Sequence, residues 1–175
     1  NREQLIPRMF STEGPALAVG DINNDGLEDV FIGAAKRVKN ALFIQNANGT
    51  FTQSQQPALA ADSVYEDVSA CFTDVNNDGQ IDLVIASGGN EFFGHDEHNT
   101  PRVYLNDGKG QFKRDTRFPA INENGSTVAA GDFDQDGDLD LFVGSRMISS
   151  KYGLNPVSNL YINDGTGGFK NQSKR

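Results

Sequence analysis

The sequence predicts an all-β chain of three consecutive β-propeller blades, each four-stranded and antiparallel, forming part or half of a larger propeller. Three observations lead there. An acidic nine-residue loop occurs three times, an Asn/Gly hairpin motif follows each copy, and no stretch sustains a 3.6-residue apolar period.

The loop copies are Asp21-Ile22-Asn23-Asn24-Asp25-Gly26-Leu27-Glu28-Asp29, Asp74-Val75-Asn76-Asn77-Asp78-Gly79-Gln80-Ile81-Asp82 and Asp132-Phe133-Asp134-Gln135-Asp136-Gly137-Asp138-Leu139-Asp140. Oxygen-bearing side chains stand at positions one, three, five and nine. Glycine at six permits the sharp turn that brings the position-seven carbonyl inward. Hard cations such as calcium take six to eight oxygens, so each copy is a candidate calcium site, three in all. The candidate ligands are Asp21, Asn23, Asp25, Leu27 and Asp29; Asp74, Asn76, Asp78, Gln80 and Asp82; and Asp132, Asp134, Asp136, Asp138 and Asp140. Position seven would contribute its main-chain oxygen. An EF-hand is excluded, because it needs a Glu at position twelve, where this chain has Ile32, Ile85 and Val143. The residues after each loop are strand-like, so the loop joins two strands and the ninth-position Asp replaces the EF-hand Glu.

The loops begin at 21, 74 and 132, spacings of 53 and 58 residues. The second motif starts at Leu42, Val103 and Leu160 and ends at Phe51, Phe112 and Phe169. Its Asn-Gly and Asn-Asp-Gly cores accept positive φ and make hairpin turns. Each unit therefore holds four short strands in series, the sequence sign of a propeller blade. The expected organisation is a leader over 1–10, then blades over 11–61, 62–121 and 122–175. Three blades do not close a ring, since propellers have about four to eight. The outer blades are therefore expected to show open faces, with apolar residues such as Phe31 and Phe142 needing cover. Further blades, self-association or the leader would supply it.

These units resemble FG-GAP/VCBS repeats, the blades of integrin alpha-subunit propellers and of many bacterial surface proteins. The resemblance is carried by Leu17-Ala18-Val19-Gly20-Asp21 through Gly33-Ala34-Ala35, and by Ala129-Ala130-Gly131-Asp132 through Gly144. The middle copy departs with Thr73 where the others have Gly20 and Gly131. Ser87-Gly88-Gly89-Asn90-Glu91 and Gly144-Ser145-Arg146 through Asn163-Asp164-Gly165 also resemble bacterial repeat proteins of the cartilage-acidic-protein type. The resemblance implies calcium binding and a place outside the cell, at the cell surface or in the periplasm. Because such blades serve several roles, it implies no single ligand.

Composition fits this reading. The net charge of −9 argues against a nucleic-acid partner, which favours basic patches. Ten of the 24 acidic residues stand where a loop ligand would bind through its side chain, and three divalent cations would reduce −9 to −3. The acidity is thus mostly a metal-site requirement. Cys71 is the single cysteine, which excludes an internal disulfide, and it lies in an apolar run that suits a buried thiol. No apolar run approaches the ~18 residues of a membrane span. The chain does not begin with Met and shows no signal peptide, which reads as a processed product or an excised piece.

The calcium loops and the Asn/Gly hairpins should share one face of the disc, with the connections from second to third strands on the other. Two of those connections are long, Ser87 to Pro101 and Ser145 to about Asn159, and long loops often carry function. The candidate ligand-binding residues there are Asn90, Glu91, His95, Arg146, Lys151 and Tyr152. His95 and His98 have a transition-metal donor spacing, although a solvated polar loop is the simpler account. No nucleophile or phosphate-loop motif is present, so the expected function is a non-enzymatic calcium-binding interaction module with a protein or glycan ligand. The alternatives are a carbohydrate-binding accessory of a polysaccharide-processing system and a purely structural segment.

Overall fold

The computed structural model describes residues 14–173 except 90, 91, 94, 121, 149, 150 and 152. The candidates Asn90, Glu91 and Tyr152, and the leader over 1–10, therefore lie outside the described residues. Three four-stranded antiparallel sheets follow one another as simple meanders. Blade one comprises β1 (Leu17–Gly20), β2 (Asp29–Ile32), β3 (Ala41–Gln45) and β4 (Phe51–Ser54). Blade two comprises β5 (Asp67–Thr73), β6 (Asp82–Ser87), β7 (Arg102–Asn106) and β8 (Phe112–Asp115). Blade three comprises β9 (Gly125–Gly131), β10 (Asp140–Ser145), β11 (Asn159–Ile162) and β12 (Lys170–Asn171). The first strands of the blades neighbour one another, with β5 against both β1 and β9.

Alternation of side chains along a strand gives each blade two apolar faces. Ala18, Phe31 and Leu42 of blade one pack with Leu83, Ile85, Tyr104 and Phe112 of blade two. Val84, Ala86 and Val103, on the other face of blade two, pack with Val128, Leu141, Val143 and Tyr161 of blade three. β6, covered on both sides, is buried along its whole length. Cys71 borders the second cluster, and burial pushes its thiol up to about 11, which keeps it protonated and inert.

The expected exposure of Phe31 is corrected by the register. Phe31 pairs with Ala18 and Leu42 and is fully buried against blade two. The open face of blade one instead carries Leu17, Val19, Val30, Ile32 and Phe43, one residue out of phase. Phe142 is half-buried beside its partners Ala129 and Leu160, outside the blade-two cluster that takes Leu141 and Val143.

The connection between blades one and two contains a five-residue helix, α1 (Pro57–Ala61), whose Leu59 is buried. Proline suits the first helical turn, where its missing N–H costs nothing. Beyond it lies a buried polar network. The Arg102 guanidinium donates to Asp67, to the Ser87 hydroxyl and to the Tyr104 hydroxyl (2.8 Å), and lies 4.0 Å over the Tyr65 ring. Tyr104 donates to Asp62 (2.6 Å), which also accepts from Arg114 (2.9 Å). This network ties the connection to β5, β6, β7 and β8.

Candidate metal centres

All three acidic loops fold alike. The position-one carboxylate accepts hydrogen bonds from the N–H groups of positions five and six: Asp21 from Asp25 and Gly26, Asp74 from Asp78 and Gly79, Asp132 from Asp136 and Gly137. The position-five carboxylate accepts from the N–H of position seven at 2.8–3.0 Å. Position four has positive φ in every copy (Asn24 59°, Asn77 57°, Gln135 66°), as does the glycine at six. These local bonds curl the chain so that alternate side chains converge.

In loop three, carboxylate oxygens of Asp132, Asp134 and Asp136 lie within 4.8 Å of one another. In loops one and two position three is an asparagine, whose amide nitrogen donates to the position-five carboxylate (Asn23 to Asp25 and Asn76 to Asp78, both 3.0 Å). There the amide provides part of the charge compensation that loop three lacks. Asp134 shows the cost: desolvation and the neighbouring Asp136 and Asp140 carboxylates raise its pKa.

Position nine is fully buried in each loop. Asp29 accepts from the N–H of Ile22 and Gln45, Asp82 from Val75 and Asn106, and Asp140 from Phe133 and Asn163. Each of these carboxylates clamps its loop to the end of the third strand. Each oxygen accepts one of these bonds and keeps a second lone pair as further acceptor capacity. Burial pushes Asp29 up, and pushes Asp82 up to about 6, against the pull of the two backbone donors. An all-oxygen donor set of carboxylates, amide and main-chain carbonyls fits a hard cation.

The loops are also joined to one another. Asn24 at position four donates to Gln80 at position seven of the next loop (2.6 Å), and Asn77 likewise donates to Asp138. The Asn106 amide bridges the Ile22 carbonyl of blade one (2.7 Å) and the Ile81 carbonyl of its own blade (2.9 Å). Asn163 repeats this on Val75 and Leu139. The Gln80 and Asp138 side chains are thus committed to the seams, leaving the main-chain oxygen as the position-seven donor. The hairpin motif held the signal for these staples, in the aligned amides Gln45, Asn106 and Asn163. The residues alone did not show what they bridge.

On the other face, His95 Nδ1 lies 3.5 Å from Glu123, while His98 Nδ1 lies 2.7 Å from Asp96. The His98 ring stacks on Phe92 (4.4 Å between centroids), and Lys36 Nζ sits 3.9 Å from the same ring. The two histidines have separate acidic partners, and among the described residues no metal-like cluster contains histidine. Arg146 and Lys151 are exposed.

Loop and blade together define a repeat class: a four-stranded sheet whose first turn is an acidic, cation-compatible loop. Residues 21–85 and 74–143 match the FG-GAP-like repeat family, and the chain belongs to that family. It is similar to cartilage acidic protein 1 of Mus musculus, 32% identical over 137 residues. That alignment covers 75% of this chain and 19% of the mouse protein, so the chain spans about a fifth of this relative's length.

Proposed function

We propose that this chain is a calcium-binding, non-enzymatic interaction module that works outside the cell, with one cation in each acidic loop. The carrying observation is the convergence of Asp132, Asp134 and Asp136 in a loop whose geometry recurs twice. Like charges held this close repel, and a divalent cation relieves that repulsion. Ligands would be Asp21, Asn23, Asp25 and Asp29, their equivalents in the other loops, and the main-chain oxygens of Leu27, Gln80 and Asp138. Calcium would fix the loops and, through the position-nine clamps, the third-strand ends. A protein or glycan ligand would be taken on the opposite face, where His95, Arg146 and Lys151 belong to neighbouring second-to-third-strand connections.

Isothermal titration of chelator-stripped protein with calcium tests the metal reading. The expected result is uptake approaching three ions per chain, weakened at one site by Asp136→Ala. Absence of binding at millimolar calcium would refute it. Loss of ligand capture in Arg146→Ala/Lys151→Ala, with calcium uptake unchanged, tests the face assignment.

A further inference from the structure

Blade three lacks a buried charged group that blade two contains. In blade two the Arg102 guanidinium lies beside Tyr104 and donates to the Tyr104 hydroxyl, the Ser87 hydroxyl and Asp67. The strand registers give each of these residues an equivalent in blade three. Tyr161 pairs with Leu141 as Tyr104 pairs with Leu83, and Asn159 pairs with Val143 as Arg102 pairs with Ile85. Ser145 pairs with Gly125 as Ser87 pairs with Asp67. An asparagine therefore stands in place of the arginine, and a glycine in place of its carboxylate partner.

The two hydroxyls equivalent to those that hold the guanidinium are retained, and they have nothing to bond. The Tyr161 and Ser145 hydroxyls are both buried and without a hydrogen-bond partner among the described residues, and Tyr161 is 0% exposed. Asn159 is engaged elsewhere: its amide donates to the Val157 carbonyl (3.3 Å), and its oxygen accepts from Asn171 (3.0 Å), which stands in the place of Arg114. A side chain at 125 has no room, because a Cβ there would lie 2.9 Å from the Ser87 carbonyl. A carboxylate is nevertheless at hand in Glu123, whose side chain is 12% exposed. Burial raises the Tyr161 hydroxyl pKa and the Glu123 charge raises it further, so the two groups lie within electrostatic reach of each other. Buried polar groups left unpaired are costly, and a bonded water or ligand relieves that cost.

We propose that blade three binds a guanidinium group at this place, the side-chain end of an arginine presented by a protein partner, through the Tyr161 and Ser145 hydroxyl oxygens and the Glu123 carboxylate. The planar fork of N–H donors would meet two hydroxyls and a carboxylate, as the Arg102 fork does in blade two. The way in is beside His95, whose side chain is 56% exposed and lies 3.5 Å from Glu123. Ser145 ends β10 where the second-to-third-strand connection begins. The site therefore belongs to the face on which a protein ligand is proposed above, and the inference rests on that face assignment. Tyr161 packs in the cluster shared by blades two and three, so the site does not depend on what precedes residue 14 or follows residue 173.

Titration of the whole, tyrosine-labelled chain with Nα-acetyl-arginine methylamide, followed by NMR, tests this. The Tyr161 ring signal should move and saturate in the millimolar range, the Tyr104 signal should stay still, and the neutral citrulline analogue should move neither. Glu123→Gln should weaken binding by at least about tenfold, the loss of one hydrogen bond to a charged group. Asn159→Arg supplies the guanidinium from within the chain and should abolish binding, and unchanged circular dichroism spectra would verify that both variants fold. A Tyr161 signal that does not move at the highest analogue concentration leaving the chain folded overturns the proposal. So does an equal response to the citrulline analogue, unchanged binding in both variants, or a crystal structure grown with the analogue that places only water on the two hydroxyls. Failure here is separable from failure of the face assignment: ligand capture still lost in Arg146→Ala/Lys151→Ala would leave that assignment standing while the arginine site fell.

Discussion

Asn106→Ala should be among the most destabilising single truncations of a neutral polar side chain in this protein. The Asn106 amide donates to Ile22 and Ile81 carbonyls, and its oxygen accepts from the N–H groups of Gly108 and Gly110, both at 3.1 Å. The site is buried, so water replaces these partners poorly. Four lost bonds at about 1 kcal/mol each amount to about 4 kcal/mol. At about 2–4 °C per kcal/mol for a chain of this size, the melting temperature should fall roughly 8–16 °C. Gln45 occupies the same repeat position in blade one, where no side-chain bond joins it to another described blade. Gln45→Ala should therefore change stability by no more than about 0.5 kcal/mol. Urea denaturation in calcium, with all chains dilute enough to be monomeric, measures both. Equal losses for the two variants would refute the argument that the four buried bonds of the Asn106 side chain, one of them across the seam, set the cost. Asn106→Asp keeps the acceptor but sets a carboxylate against two carbonyls, and it should lose at least as much.

Calcium at a hundredfold excess over its dissociation constant should add about 2.7 kcal/mol of stability per independent site, chelator should remove it, and magnesium should substitute poorly; a melting temperature indifferent to calcium would contradict the metal reading. In chelator, folded Asp29 and Asp82 hold protons more tightly than in the unfolded chain, Asp82 up to about 6. The Asp82 contribution to stability is therefore present in acid and lost as pH rises through about 6, Asp29 acts in the same direction, and Asp82→Asn should flatten that slope in a melting series. With calcium bound the trend should reverse, because protons compete with the metal. Arg102→Ala should cost about 3–5 kcal/mol by stranding buried Asp67, and Arg102→Lys should rescue little because the fork to Asp67, Ser87 and Tyr104 is lost; a near-neutral Arg102→Lys in urea denaturation would contradict the fork argument.

Much of the architecture was legible in the residues because it is local. A strand needs only a few alternating apolar residues, a turn needs Asn or Gly where φ is positive, and the acidic loop closes through bonds spanning two to five residues. Those patterns recur three times, so strand count, loop geometry and the convergence of Asp132, Asp134 and Asp136 follow from spacing. The roles that depend on contacts between blades were not legible. Phe31 and Val30 are both apolar, and only the pairing of β2 with its neighbours and the placement of blade two decide that Phe31 is buried while Val30 faces the open side. The Asn24 and Asn77 amides look like turn residues until the next loop is set beside them. Asn106 and Gln45 hold the same place in the repeat, yet one is a staple and the other an open end. Sequence specifies periodicity and local bonds, but a bond or a burial that needs a second blade exists only once that blade is in place.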